Sequence, residues 1–355
     1  MAKQPAAYPF PYSKAAQLDS RINIARPVID QTLAPIVDAY PLPEELDLDF
    51  MHGVTAKEDN EAFVCTNAQS IIKSVPHLKH TEHFIPGCGG NRIVLSVIAP
   101  QAPTSATLPA LYRIHGGGMI AGDRFAGLTE LLDLLKCIEC VEYRLAPENR
   151  APGPADDCYA GLVWMSEKAT SLGIDPAGIV VWGVPSGAAL AAVLCLMVRD
   201  RKAPAIPIKA QMFISPMLDD RCQSVSDRQF EYGSPWCGVS DCMAWAHVTG
   251  EGRGSDEVSL YQAPSRAKDL SDLPPAYIDT AECEVFRDHA VLYAPKMLRC
   301  GSTCELHIWP DAFHLFDGVD NLDVPLIHAA IEARQTWVRR MMQPIGIDGD
   351  SNLLL

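Results

Sequence analysis

Between residues 92 and 342 short apolar runs alternate with longer helical ones. The apolar runs Arg92–Ile98, Ala110–Ile114, Cys137–Tyr143, Gly178–Trp182, Ile208–Ile214, Ala276–Thr280 and Cys304–Trp309 predict strands. The intervening stretches Leu128–Leu135, Pro154–Leu172, Gly187–Arg199, Arg287–Cys300 and Val324–Met342 predict helices. Such alternation predicts an α/β fold, a mostly parallel central sheet with helices on both faces. Two stretches break the pattern. Residues 1–65 are rich in Pro, Ala and acid, with helical stretches around Lys14–Asp38, and are expected to form a cap or lid segment. Residues 218–268 are rich in Gly, Ser, Asp, Trp and Cys and are expected to insert over the C-terminal edge of the sheet. The expected organisation is an N-terminal cap over 1–65, a core over 66–345 carrying the insertion, and a tail over 346–355.

The composition narrows the partners. The chain has 355 residues, 48% of them hydrophobic and 21% charged, as in an ordinary globular protein. A net charge of −15 repels nucleic acid and anionic membrane, so a small-molecule substrate or ligand is the expected partner. The N-terminus shows no apolar signal-peptide core, and the longest apolar run, Ala188 to Val198, is too short for a bilayer. A cytoplasmic location is therefore expected, with the twelve cysteines reduced. Cys137 and Cys140 lie on one predicted strand, whose alternation sends their side chains to opposite faces, so core packing is preferred to a metal or redox pair. His77, His80 and His83 fall in a loop or strand start and read as solvated or packed rather than metal-ligating. No metal and no cofactor is expected.

Three motifs carry chemistry. His115-Gly116-Gly117-Gly118 follows the strand Ala110–Ile114. Glycines there let backbone N–H groups approach a ligand, and such groups stabilise an oxyanion where an ester is cleaved. About 70 residues later the apolar strand runs through Gly183-Val184-Pro185-Ser186-Gly187 into an Ala-rich helix. This is the layout of a nucleophile elbow, Gly-x-Ser-x-Gly, with proline at its centre. Finally the acidic stretch Glu282-Cys283-Glu284-Val285-Phe286-Arg287-Asp288 and then His314 follow two successive strands, the order of acid and base in a serine-hydrolase triad. Trp236 and Tyr232 of the insertion, together with His115, are candidates to touch an apolar acyl, terpenoid or polyketide group of the kind made in secondary metabolism.

On these motifs the chain resembles the hormone-sensitive-lipase branch of the α/β-hydrolase family over about residues 75–342. The resemblance implies that Gly117 and Gly118, with Gly116 beside them, and the Ser186 N–H form an oxyanion hole. It implies that Glu284 and His314 are the acid and base, and that Pro185 stands where the nucleophilic serine should be. Proline cannot carry an acyl group, and its ring holds φ near about −65°, whereas the nucleophile of an elbow has positive φ. The expected function is therefore proton transfer with oxyanion or enolate stabilisation, as in isomerisation, dehydration, condensation or cyclisation. The alternatives are ester hydrolysis through Ser186 or an activated water, and a ligand sensor without turnover. The helix Val324–Met342 could serve a homodimer.

Overall fold

The computed structural model describes residues 20–21, 23–39, 48, 51, 68–101, 107–128, 137–318 and 323–342. Eight strands form one sheet: β1 (Leu78–Pro86), β2 (Arg92–Pro100), β3 (Leu108–Ile114), β4 (Ile138–Glu142), β5 (Ile174–Gly183), β6 (Ala210–Ile214), β7 (Ala276–Cys283) and β8 (Cys304–Phe313). Their order is β1-β2-β4-β3-β5-β6-β7-β8. The pairs β1–β2 and β2–β4 are antiparallel, and every pair from β4–β3 onward is parallel. The helices are α1 (Ala34–Ala39), α2 (Ala68–Ser74), α3 (Gly153–Leu172), α4 (Ser186–Arg201), α5 (Val225–Gln229), α6 (Gly238–Thr249), α7 (Arg287–Arg299) and α8 (Pro325–Met342). The predicted α/β architecture is thus realised, with most helices within a few residues of their expected limits. The helix expected over Leu128–Leu135 lies almost wholly outside the described residues, as does most of the 1–65 segment and all of the 346–355 tail.

One strand was not anticipated. Residues 75–86 read as a loop or strand start, yet β1 runs for nine residues along β2. Its sequence, Leu-Lys-His-Thr-Glu-His-Phe-Ile-Pro, is polar because β1 is an edge strand with little to bury. His80 bonds the Ser96 hydroxyl at 2.9 Å, and His83, on the opposite face, packs on Trp164.

The strand period sorts side chains onto two cores. Ala110, Tyr112, Ile114, Ile179 and Val181 join α3 and α4 on one face. Leu111, Val180 and Trp182 join Ile71, Trp337 and Val338 on the other. Cys137 enters the first core and Cys140 the second, as alternation requires. Helix α4 is buried on every side from Ser186 to Val198, which explains why its run is apolar all round rather than striped. Its N-terminus is thereby fixed directly above the end of β5.

Candidate active site

The turn from β5 to α4 is held by close backbone packing. A Cβ on Gly183 would stand 2.2 Å from the Gly187 carbonyl oxygen, and one on Gly187 would stand 2.2 Å from the oxygen of Ile114. Neither position accepts a side chain, so the two glycines of the motif are a steric necessity. The Gly187 N–H closes the turn on the Val184 carbonyl at 2.7 Å. Pro185 caps α4 with φ −18° and ψ −72°. The φ departs from the expected value near −65°, while the ring still keeps it from the positive side.

The loop after β3 lies against this turn. A Cβ on Gly116 would meet the Val184 oxygen at 3.2 Å and the Pro185 ring at 3.4 Å. Gly117 and Gly118 have φ of 103° and 65°, and a Cβ on Gly117 would lie 2.2 Å from the Ala121 oxygen. Gly118 is covered by the Trp236 ring and by Ala244 of α6. Among the described residues, the N–H groups of Gly117, Gly118 and Ser186 donate to no protein acceptor. Unsatisfied donors of this kind on a helix N-terminus and its neighbouring glycine loop suit an incoming anion or oxyanion.

Ser186 itself is fully buried, and its hydroxyl accepts the Met119 N–H at 3.1 Å. Met119 has φ 60°, so this bond pins a left-handed residue of the glycine loop to the first turn of α4. The serine oxygen acts as a strut here. His115 is also fully buried; its ring stacks on Tyr143 at 4.1 Å and its Nδ1 bonds the Gly116 carbonyl at 2.8 Å. Burial depresses its pKa to about 3, the Gly116 bond opposing and the charge of Arg113 adding to the fall. The expectation that His115 touches substrate is therefore corrected: it is a neutral support under the loop. Tyr143 completes that support by donating to the His115 carbonyl at 2.9 Å.

Glu284 and His314 do meet. His314 Nδ1 bonds Glu284 Oε2 at 2.5 Å, and the His314 ring is edge-on to Phe286 at 5.4 Å. Glu284 is wholly buried, and its other oxygen accepts the hydroxyls of Ser215 (2.9 Å) and Thr280 (2.5 Å) and the Ala281 N–H (2.7 Å). With Nδ1–H given to the carboxylate, Nε2 is the base of the imidazole. The segment after β6 links this pair to the turn: the Met217 N–H donates to the Pro185 carbonyl at 3.1 Å, two residues from Ser215.

The insertion and the N-terminal stretch also meet one another. The Arg26 guanidinium bonds the carbonyls of Gln229, Tyr232 and Gly233, and Arg21 covers the Tyr232 ring at 4.1 Å. Sequence reasoning overlooked Asp227, Asp241 and His289, which are buried with side-chain donor or acceptor atoms all within 4.8 Å of one another. The Leu218 N–H lies 3.3 Å from His289 Nδ1, and Nε2 faces Asp227 at 3.4 Å. Burial opposes the charged ring, but Asp227, with Asp241 and Asp219, raises the His289 pKa to about 9.

The family profile described as alpha/beta hydrolase fold matches residues 111–318. The chain belongs to the α/β-hydrolase fold family. Among this α/β-hydrolase's curated relatives is the carboxylesterase NlhH of Mycobacterium tuberculosis, 30% identical over 301 residues that cover 82% of this chain and 90% of the relative. The esterase LipI of the same organism is 27% identical over 79% of this chain and 86% of its own. Among solved structures, a bacterial heroin esterase superposes with a TM-score of 0.77 at 31% identity, over 89% of this chain and 98% of that one. These likenesses put the α/β-hydrolase in the esterase-like branch that its motifs resemble. No helix among the described residues is long and apolar enough to cross a membrane.

Proposed function

We propose that this α/β-hydrolase cleaves a small carboxylic ester with a water molecule that His314 activates, and that Pro185 occupies the position of the missing nucleophile. The observation that carries this reading is the pair Glu284–His314, intact and fully hydrogen-bonded beside a turn that offers no hydroxyl at its apex. In the proposed reaction the ester carbonyl oxygen accepts the N–H groups of Gly117, Gly118 and Ser186. His314 Nε2 takes a proton from water as the water oxygen bonds the carbonyl carbon. The tetrahedral oxyanion is held by the same N–H groups. It collapses by breaking the bond to the alcohol oxygen, which takes the proton back from His314. Acid and alcohol leave, and the enzyme is unchanged at every atom. Glu284 keeps the imidazole in one tautomer and offsets the transient imidazolium charge.

Hydrolysis is placed ahead of the isomerisation, condensation, dehydration or cyclisation expected from the sequence, because relatives spanning most of the chain bear the names of esterases. Water is placed ahead of Ser186 because that hydroxyl is buried and already bonded to Met119. Residues 1–65 and 218–268 are proposed as the cap over the substrate, since Arg26 and Arg21 tie the two together and Trp236 reaches Gly118.

The test combines two measurements on the purified protein: hydrolysis of p-nitrophenyl butyrate by the wild type and His314→Ala, and fluorophosphonate labelling read by peptide mass. Water attack predicts no adduct, and a loss of about 10²- to 10⁴-fold in His314→Ala. An adduct at Ser186 would replace water by serine. Hydrolysis equal in the two proteins would remove the ester reading and return the site to proton transfer or ligand binding.

A further inference from the structure

Helix α8 carries a buried cation that is bonded to neither Glu284 nor His314, yet it is bonded to the segments that hold both. Arg334 is 7% exposed, and its partners Asp279 and Asp317 are 0% and 8% exposed. Arg334 Nε donates to Asp279 Oδ2 at 2.7 Å, and Nη1 donates to Asp317 Oδ2. Among the described residues no other cation pairs with either carboxylate. Burial disfavours the charged guanidinium, but Asp279 and Asp317 hold its pKa above the usual arginine value. The guanidinium is planar, so its N–H directions are fixed and it sets where each carboxylate stands.

Each carboxylate belongs to one half of the acid–base pair. Asp279 lies on β7, where the Tyr277 hydroxyl and Trp309 Nε1 donate to the same oxygen at 3.3 and 3.2 Å. Thr280, next along the strand, points to the opposite face and gives its hydroxyl to Glu284 Oε1 at 2.5 Å. The Ser215 N–H donates to the Asp279 carbonyl at 2.8 Å, while the Ser215 hydroxyl donates to Glu284. Two donors of Glu284 are thus placed by backbone at or bonded to Asp279. Asp317 lies three residues after His314. In the turn between them the Phe316 N–H bonds the Phe313 carbonyl at 3.1 Å and the Gly318 N–H bonds the Leu315 carbonyl at 3.0 Å. Leu315, beside His314, has φ 54°, a left-handed conformation that leucine keeps only where its surroundings hold it.

We propose that Arg334 is a positioning residue of this site: by bonding Asp279 and Asp317 at once, it holds the turn that carries His314 at the distance from β7 at which Nδ1–H meets Glu284. The effect on rate rests on the hydrolytic reading, but the effect on the imidazole needs no substrate. When the clamp is cut, the turn relaxes, the Nδ1–H bond to Glu284 weakens, and the neutral ring divides between its two tautomers. Wherever Nε2 carries the proton it cannot take one from water. The N–H groups of Gly117, Gly118 and Ser186 are untouched, so kcat falls while KM stays.

The experiment reads the ring nitrogen shifts of His314 by NMR, at a pH where the ring is neutral, in the full-length wild type, Asp317→Ala and Arg334→Lys. The signals are assigned by their absence in His314→Ala. The same proteins give kcat and KM for p-nitrophenyl butyrate and a chemical denaturation midpoint. Asp317→Ala leaves Arg334 paired one-to-one with Asp279, and Arg334→Lys keeps the charge without the fork, so neither strands an isolated buried cation. The wild type is expected to hold a single tautomer with the proton on Nδ1. Both variants are expected to show a mixture, with kcat lower by about 10- to 100-fold and KM changed by less than about twofold. Asp317→Asn keeps an oxygen acceptor for Arg334 and should restore the single tautomer and most of kcat. A lower midpoint with the wild-type tautomer and the wild-type kcat would overturn the proposal, since Arg334 would then brace the fold alone. If the wild type does not cleave the ester, the hydrolytic reading falls and the tautomer comparison still decides the clamp. If Asp317→Ala does not fold, Arg334→Lys decides.

Discussion

The β5–α4 turn and the Glu284–His314 pair are joined through the segment after β6, but different forces shape them. The turn is set by repulsion: Gly183 and Gly187 are enclosed by backbone atoms that a Cβ would meet at 2.2 Å. The pair is set by attraction: one carboxylate oxygen takes three donors and the other takes the imidazole. A steric frame specifies shape and is indifferent to which small side chain stands at its apex. An electrostatic frame specifies the reacting atoms themselves, since removing any partner leaves a buried charge short of a hydrogen bond. The first would therefore survive the loss of a nucleophile, which is what the proposed reading of Pro185 requires, while the second would be strained by the loss of any partner.

The most severe test of that contrast is Pro185→Ser. If the frame around position 185 is still that of an elbow, a hydroxyl there meets both His314 and the free N–H groups. Ester hydrolysis should then rise by at least about 100-fold, because a covalent path opens that water attack lacks. Fluorophosphonate should label position 185 in that variant and no position in the wild type. An unlabelled, unchanged variant would mean that the proline has altered the frame as well as the chemistry.

A smaller effect separates the two regions by pH. His115, beneath the glycine loop, has its pKa held by burial down to about 3, against about 6.5 in an unfolded chain. Below pH 6.5 the unfolded chain binds a proton that the folded one refuses. Stability due to this group is thus complete above about 6.5 and is lost as pH falls towards 3, at about 1.4 kcal/mol per pH unit. Between pH 6.5 and 5 the folded state should lose about 2 kcal/mol, read by chemical denaturation. His115→Phe keeps an aromatic ring against Tyr143 and removes the titration, so its slope over that interval should be flatter. An equal slope in the two proteins would assign the acid sensitivity to other groups.

Which of these features the sequence disclosed follows the same division. Strands buried on both faces were legible, because β3, β4 and β5 are mainly apolar where they are buried, Arg113 and Glu139 excepted. Edge strand β1 was not, since a polar strand with one neighbour carries little hydrophobic signal. Gly117, Gly183, Gly187, Glu284 and His314 were recoverable because residue type and spacing reflect local demands of turn and strand end. Met119's bond to Ser186 was invisible, as it joins residues 67 apart and uses an oxygen that looks catalytic by position. The proline's φ also escaped prediction: ring geometry alone suggests about −65°, against the value of −18° in the turn. The node of Asp227, Asp241 and His289 left no local pattern, because α5, α6 and α7 each supply one member.

The smallest predicted effect decides between a strut and a nucleophile. Ser186→Ala keeps the backbone N–H that is proposed to hold the oxyanion and removes only the hydroxyl. The Met119 N–H, buried and bonded to that hydroxyl at 3.1 Å, is then left without its acceptor. An orphaned buried donor costs about 1–2 kcal/mol, which a shift in the denaturation midpoint would register. Hydrolysis should fall by no more than about threefold, since the loop loses one anchor while His314 and Glu284 are untouched. A strut is a stability residue, so its removal should show in the melt before it shows in turnover. The reverse pattern, with folding intact and hydrolysis abolished, would make Ser186 the attacking atom, and the steric frame around Pro185 would then be serving a nucleophile one residue along the helix.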